Sequence, residues 1–157
     1  MASVVALGSG LVGQFVIERL LEADHKVIVI DLQIPEALHQ HPRVEARQGD
    51  AIQAVSRLPP QQTVINMLPG RIGDMVRPAL LKAGHNVVDL AFTAEDPHRH
   101  EALAVEHQGV LLWDVGIAPG ISNMLVKQAF EDLGPLNHVS IKVGGNPTEK
   151  DDEWSYM

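Results

Sequence analysis

Cysteine is absent from the 157 residues of this chain, and its absence excludes disulfide bonds, a thiolate nucleophile and a zinc–thiolate site. Basic residues are scarce, 12 Lys and Arg against 20 Asp and Glu with a net charge of −8, whereas a nucleic-acid surface needs clustered Lys and Arg. No run of apolar residues reaches the roughly 18 that a membrane-spanning helix needs. We therefore expect a protein that binds neither nucleic acid nor a membrane.

The amino terminus also lacks the basic segment that opens a secretory signal peptide, so we expect a cytoplasmic protein. What is present is typical of a globular domain, because 45% of the residues are hydrophobic. A chain of this length can enclose the core of one domain.

The most informative segment is a glycine-rich motif near the amino terminus. An apolar run over residues 3–7 is followed by Gly8-Ser9-Gly10-Leu11-Val12-Gly13 and then by apolar residues at helical spacing, which predicts a strand, a turn and a helix. The first glycine allows the tight turn, the second lets a pyrophosphate approach the backbone, and the third lets the helix pack on the strand. The free N–H groups of the helix start then face the phosphates. The predicted phosphate-binding residues are Gly8, Gly10, Leu11, Val12 and Gly13.

A carboxylate follows at the spacing that a dinucleotide site requires. Asp31 ends the predicted strand 26–31 and lies 18 residues after Gly13, where an acid holds the adenosine ribose hydroxyls. The alternative is an aspartate that merely closes a strand. Because a carboxylate repels a 2′-phosphate and Leu32 and Gln33 supply no arginine, the pattern favours NAD over NADP.

Apolar strand-like runs alternate with helical segments along the rest of the chain. This alternation predicts an α/β fold, a doubly wound parallel sheet of the Rossmann type in the order 3-2-1-4-5-6, with ligands at the carboxyl ends of the strands. We expect this dinucleotide-binding domain to span residues 1–135, and residues 136–157 to begin a second α/β domain. The predicted strands are 3–7, 26–31, 43–47, 62–68, 85–91, 110–115 and 138–143, and the clearer helices are 51–58, 72–83, 93–108 and 119–133.

Further candidate cofactor residues follow the later strands. Asp50, next to Ala51, could accept from the adenine amino group or cap a helix. The segment Leu68-Pro69-Gly70 could lie under the nicotinamide or form an ordinary turn.

Two carboxylates, Asp89 and Asp114, end strands five and six beside the expected nicotinamide pocket, and Asp89 and Leu90 are also candidate cofactor-binding residues. Each could bind a substrate ammonium, act in proton transfer as a catalytic group or cap a helix. In the segment 114–123, glycines and a proline lead into a helix and predict a rigid turn whose free N–H groups could receive a substrate carboxylate. The residues proposed there for substrate binding are Gly116, Pro119, Gly120 and Asn123.

The eight histidines show no defensible metal-ligand spacing with acids, so no metal site is expected.

Three motifs together resemble the saccharopine dehydrogenase family, including lysine 6-dehydrogenase-like members. They are Gly8-Ser9-Gly10-Leu11-Val12-Gly13, Asp114-Val115-Gly116-Ile117-Ala118-Pro119-Gly120-Ile121-Ser122-Asn123 and Val143-Gly144-Gly145-Asn146-Pro147. The resemblance implies an amino-terminal NAD(P) domain followed by a catalytic domain, nearly all absent from this chain, which carries substrate contacts and a homodimer surface. It also implies hydride transfer at a C–N bond of an amino-acid substrate, through an imine.

The sequence departs from the family at two places. Many members carry Ser-Arg at the positions of Asp31 and Leu32, and Leu where this chain has Asn146. The first departure favours NAD, and the second leaves the identity of the amino acid open. The alternative function is a non-catalytic Rossmann module that binds or senses NAD.

Overall fold

A parallel β-sheet organises residues 3–115 in the computed structural model, which describes residues 3–143. The described strands pair in the order β3-β2-β1-β4-β5-β6, and all pairs are parallel. The predicted fold class, strand order and Rossmann-like α/β architecture are confirmed. The strands are β1 (Ser3–Leu7), β2 (Lys26–Asp31), β3 (Val44–Gln48), β4 (Thr63–Asn66), β5 (Asn86–Asp89) and β6 (Val110–Leu112).

Helices follow the strands as the alternation predicts, with two shorter than expected. The helices are α1 (Leu11–Glu22), α2 (Glu36–His39), α3 (Ala51–Ala54), α4 (Gly70–Lys82), α5 (Glu101–Glu106) and α6 (Ile121–Leu133). Helix α3 continues as a 3₁₀ turn over Val55–Arg57, and a 3₁₀ turn over Pro97–His100 precedes α5.

The prediction of one helix over residues 93–108 was wrong in its first part. The Asp96 side chain accepts a hydrogen bond from the His98 amide at 2.9 Å, and Pro97 occupies the first turn. These two residues start the helical segment there, because an aspartate caps a helix and proline at the first position has no amide hydrogen that needs a partner.

The core consists of two apolar layers, one on each face of the sheet. On one face Ile17 and Leu21 of α1 pack with the β-strand residues Ala6 and Val29. The opposite layer contains alternate residues of the same strands, and α3 and α4 cover it; its members include Val5, Leu7, Ile30, Val55, Val64, Val76, Leu80, Leu81 and Val87. Burial on both faces explains why the central strands are continuous apolar runs, as in other parallel sheets.

The chain divides into two compact units after Val115. The first holds the sheet with α1 to α5, and the second holds α6. The predicted strand over residues 138–143 is not formed; Val139, Ile141 and Val143 there are exposed, and a strand needs a neighbouring strand to satisfy its backbone groups. The domain boundary predicted between residues 135 and 136 stays a prediction, and residues 144–157, with most of the third family-like motif, lie outside the described part.

Candidate functional site

The carboxyl ends of β1 and β4 lie side by side, and this pair is where the strand order reverses. The chain leaves β1 toward β2 and α1, and leaves β4 toward β5 and α4, so the two following loops diverge to opposite faces. In open α/β sheets the crevice between such loops is the place where ligands bind.

The glycine loop after β1 has the geometry that its sequence predicts. Gly8 has a positive φ of 96° and donates from its amide to the carbonyl of Ile30 at 2.9 Å. A Cβ on Gly13 would lie 2.9 Å from the carbonyl carbon of Gly8 and nearer still to its oxygen, whereas a Cβ on Gly10 would meet nothing within 4 Å. Two of the glycines are therefore required by the fold itself, and the space at Gly10 is open to a ligand.

Helix α1 begins at this loop with an uncapped amino terminus. Its N-cap residue is Gly10, no side chain caps the helix, and no acidic residue lies in its first turn. Leu11 and Val12 at its start are 91% and 55% exposed. The unpaired first amides and the positive end of the helix dipole suit a phosphate group, so the loop fits the pyrophosphate of a dinucleotide.

Asp31 is tied directly to the glycine loop. Its Oδ2 atom accepts from the Ser9 amide at 2.5 Å and from the Ser9 hydroxyl at 3.0 Å, and its Oδ1 atom accepts from the Gln33 amide at 3.2 Å. Ser9 is only 3% exposed. The carboxylate is half-buried at the mouth of the loop, and Oδ1, with a single partner, keeps acceptor capacity for a ribose hydroxyl. Leu32 beside it is 66% exposed.

Asp50 caps α3, which is the plainer of its two predicted roles. Its Oδ1 atom accepts from the Ile52 amide at 2.9 Å. Ala51 is 5% exposed and belongs to the core, so its side chain is not positioned to contact a cofactor. Asp50 also lines a shallow pocket of about 250 Å³ beyond β3, formed by Arg47, Gln48, Gly49, Asp50, Gln53, Ala54 and Arg57.

The segment Leu68-Pro69-Gly70 leads from β4 into α4, and Gly70 is the first residue of that helix. A Cβ on Gly70 would overlap the carbonyl oxygen of Phe92 and lie 3.1 Å from its carbonyl carbon. This glycine therefore serves the close approach of the loop after β5. This backbone contact is sufficient to explain a glycine at position 70, without the close approach of a cofactor that the sequence analysis considered.

Asp89 lies in a buried polar network that argues against its predicted contact with substrate or cofactor. The residue has no exposed surface. Its Oδ2 atom accepts from Arg77 Nε at 2.8 Å and from Asn66 Nδ2 at 3.0 Å, and its Oδ1 atom accepts from the Ala91 amide at 2.7 Å. Each oxygen is occupied and shielded, so a structural role replaces the catalytic one. Leu90 after it is half-buried, and its amide donates to the Asn66 carbonyl at 2.9 Å.

The Arg77 guanidinium also reaches Asp74, at the edge of the same network. It lies 3.2 Å from Asp74 Oδ1, and Asp74 Oδ2 pairs with Arg99. Partial burial alone would raise the pKa of Asp74, but the hydrogen bonds and charges of Arg99, His100 and Arg77 together hold it below its usual range. This carboxylate is therefore held ionised among cations.

Asp114 follows β6 with a left-handed backbone, at φ 57°. Asp24, Gln61 and Gln108 share such a φ. Asp24 and Gln108 each follow a helix, where a left-handed residue is a common ending, and Gln61 lies in the loop before β4. Asp114 follows a strand; aspartate adopts this conformation more readily than most residues, and non-glycine examples cluster at functional or strained sites. The amide of the next residue, Val115, bonds the Asp89 carbonyl at 3.4 Å, so this segment runs beside the end of β5.

The turn before α6, in the second unit, is closed by its own hydrogen bonds. The Gly116 amide donates to the Pro119 carbonyl at 3.1 Å, and the Gly120 amide donates to Asn123 Oδ1 at 3.1 Å. The Asn123 amide donates to the Gly120 carbonyl at 3.0 Å. The prediction that this turn offers free N–H groups to a carboxylate was wrong for these three amides, because the turn and the helix cap use them internally. Gly120 has a φ of 131°, which glycine adopts without strain.

Sequence reasoning missed Ser9, Asn66 and Arg77. Ser9 is an unspecified position of the glycine motif, so the motif carries no information about it. A signal for Arg77 was present, because it interrupts the apolar stripe of α4 formed by Val76, Leu80 and Leu81. A charge at such a position requires a buried partner.

Among residues 3–143, no group of three or more His, Asp or Glu side chains could hold a metal ion. No helix in this part of the chain is long and apolar enough to cross a membrane.

No protein-family model matches the sequence, and no curated protein matches it. Solved structures do. Saccharopine dehydrogenase (L-Glu forming) from Saccharomyces cerevisiae superposes with a TM-score of 0.70 and 22% identity, over 85% of this chain and 31% of that chain. A short-chain dehydrogenase/reductase from Burkholderia vietnamiensis gives a TM-score of 0.48 and 14% identity, over 88% of this chain and 97% of that one.

This chain thus spans about a third of the length of the yeast enzyme. At 22% identity the likeness concerns the fold, and the resemblance inferred from the sequence is confirmed at that level. The chain has a doubly wound α/β fold that it shares with part of the yeast saccharopine dehydrogenase.

Proposed function

We propose that this chain is the NAD(H)-binding part of a dehydrogenase of the saccharopine dehydrogenase type, acting on a C–N bond of an amino acid. The observation that carries the proposal is the glycine loop: open space at Gly10 lies directly before the uncapped start of α1. The likeness in fold to the yeast saccharopine dehydrogenase supports the choice of family.

The residues of this chain would hold the two ends of the dinucleotide differently. The amides at the start of α1 would receive the pyrophosphate, and Asp31 would accept from the adenosine ribose hydroxyls. A 2′-phosphate would meet the Asp31 carboxylate at short range, so NAD is proposed over NADP. When bound, the nicotinamide ring supplies hydride transfer, and the protein supplies position and proton transfer.

Asp114 is the proposed proton acceptor or amine-binding group, since the Asp89 carboxylate is enclosed. It is half-buried at a strand end, and its left-handed backbone is a conformation that clusters at functional sites. Its role is to accept from the substrate ammonium or to take a proton from it.

A non-catalytic module that binds NAD is the second candidate. It is favoured by one observation, the enclosure of Asp89 in its buried network, which leaves one carboxylate fewer for proton transfer. An assay of NAD reduction with lysine, saccharopine and related diamines separates the two candidates when it is run on a longer chain that carries the catalytic domain. We expect no reduction that depends on the amino acid from residues 1–157 alone, because this chain supplies only one wall of the substrate pocket. Reduction that depends on the amino acid and is lost in Asp114→Asn would exclude the non-catalytic reading.

The test of cofactor choice is calorimetric titration with NADH and NADPH. We expect much tighter binding of NADH, and reversal of that order in a variant that combines Asp31→Ser with Leu32→Arg. Asp31→Asn is the matched control, because an amide oxygen can still accept from Ser9 while the charge is removed. In this control variant the ratio of NADH affinity to NADPH affinity should fall, but NADH should still bind more tightly than NADPH. Equal affinities for both cofactors in the unmodified protein would refute the role of Asp31, and binding of neither would refute the proposed function.

A further inference from the structure

We propose that Arg77, through its buried pair with Asp89, is a positioning residue for the nicotinamide half of the dinucleotide. This role rests on the dinucleotide-binding function proposed above. The glycine motif and Asp31, at the end of β2, do not bear on this role, because those residues are proposed to bind the adenosine and pyrophosphate half of the ligand.

The Arg77 side chain connects α4 to the loop after β5, which is residues 90–93. Besides its bond to Asp89, the guanidinium donates to the Ala91 carbonyl at 2.9 Å and to Thr93 Oγ1 at 3.0 Å. Arg77 is 1% exposed. One fixed, planar group therefore holds three points along the five residues 89–93, and only a guanidinium has donors in this arrangement.

The loop after β5 forms one wall with the loop after β4. The Gly70 backbone packs against the backbone of Phe92 so closely that no side chain fits between them. Asn66, at the end of β4, donates from Nδ2 both to Asp89 Oδ2 and to the Gly73 carbonyl, at 3.0 Å and 3.1 Å. Arg77 is therefore linked to the loop after β5 directly and to the end of β4 through Asp89 and Asn66.

The presence of this pair is not explained by stability. A buried ion pair is often no more stabilising than apolar side chains of the same volume, and the remainder of the α4 stripe is apolar. What the pair provides, and an apolar replacement does not, is a directed set of hydrogen bonds to a loop.

The wall lies where the second half of a dinucleotide must extend. A doubly wound sheet consists of two mononucleotide-binding halves that meet at the switch point. Asp31 and the glycine loop mark the adenosine and pyrophosphate positions on the side of β1 and β2. The other half of the ligand must then lie over the ends of β4 and β5, beside the loops that Arg77 and Asn66 hold.

The experiment compares two ligands that differ by the nicotinamide group. NADH has it, and ADP-ribose lacks it but keeps the adenosine, the pyrophosphate and the second ribose. Arg77→Lys retains the positive charge and loses the planar set of donors. We expect it to weaken NADH binding by about 5–10-fold, the equivalent of one or two lost hydrogen bonds, and to change ADP-ribose binding less than about 2-fold.

Two further variants distinguish a specific effect on nicotinamide binding from a general loss of stability. Thr93→Val, at a partly exposed position, removes one of the two bonds from Arg77 to the loop, together with the bond from the Thr93 hydroxyl to the Glu95 carbonyl. It should change the ratio of the two affinities in the same direction as Arg77→Lys. Val87→Ala removes buried apolar volume from the same strand, β5, without touching the network. It should lower the melting temperature and leave the ratio unchanged. If Arg77→Lys does not fold, Thr93→Val decides.

The outcomes separate this proposal from the one it rests on. If the unmodified protein binds neither NADH nor ADP-ribose, the dinucleotide-binding function is refuted and the positioning role with it. If it binds both, and the folded Arg77 and Thr93 variants lose affinity for the two ligands equally or not at all, only the positioning role is refuted. A ratio that also changes in Val87→Ala would reduce the effect to general destabilisation and overturn the proposal as well.

Discussion

A methyl group added at Gly13 should destabilise the protein, whereas the same change at Gly10 should not. In Gly13→Ala the new Cβ lies 2.9 Å from the carbonyl carbon of Gly8 and nearer to its oxygen. Both atoms belong to the backbone of a loop that also donates to Ile30, so no flexible side chain can move away instead. In Gly10→Ala the Cβ meets no atom within 4 Å.

The size of the effect follows from the overlap. Ordinary contacts of a Cβ begin near 3.4 Å, so α1 or the Gly8 carbonyl must move by at least about 0.5 Å. Overpacking of this kind costs about 1–3 kcal/mol. In a domain of this size each kcal/mol lowers the melting temperature by roughly 2–4 °C. We therefore expect a fall of about 2–12 °C for Gly13→Ala and less than about 2 °C for Gly10→Ala, where reduced freedom of the unfolded chain offsets the weaker helix cap.

The assay is thermal unfolding of both variants and the unmodified protein, followed by circular dichroism without ligand. Urea titration adds the free energy of unfolding and shows whether its slope is unchanged. Equal melting temperatures for the two variants would refute the reasoning, because the same chemical change would then cost the same in open space and against backbone. A lower melting temperature in Gly10→Ala alone would also refute it, because the fold would then require a glycine at position 10 and not at position 13.

Three other predictions follow from the structure. Gly10→Val should abolish NADH binding in a calorimetric titration with little change in melting temperature, and retained binding would place the pyrophosphate elsewhere. Asp89→Asn removes the fully buried partner of Arg77 and leaves Asp74 as the remaining carboxylate, so it should lower the free energy of unfolding in urea by about 3 kcal/mol, the lower end of the cost of breaking a buried pair; a loss below about 1 kcal/mol, the scale of an exposed ion pair, would contradict the buried pair. Burial lowers the pKa of His85 in the folded protein, so the unfolded chain takes up the proton first and stability should decline as the pH falls below about 6.5. His85→Asn keeps an acceptor for the Gln62 amide and should flatten that decline in unfolding measured at several pH values, whereas an unchanged profile would assign it to other groups.

The glycine loop and Asp31 were predictable because their geometry is local. Gly8, Gly13 and the start of α1 lie within six residues, and the steric needs of a tight turn and a close packing contact act over that distance. The strand order was also predictable, because short right-handed connections leave few arrangements for alternating strands and helices. The sequence left two roles for Asp50, binding the adenine amino group or capping a helix. The hydrogen bond from the Ile52 amide shows that it caps α3.

The sequence by itself determined the fold class, the geometry of the glycine loop and the position of the acid at its mouth, since each depends on spacing along a few residues or on periodicity. Only the tertiary structure decided that Asp89 is enclosed by Arg77 and Asn66, which lie 12 and 23 residues away along the chain. It also decided that the turn before α6 uses its own amides. The physical reason is that the local sequence around a carboxylate at a strand end does not show whether its partner is water, a ligand or a buried guanidinium. The packing of elements that are distant along the chain decides which of these partners it has.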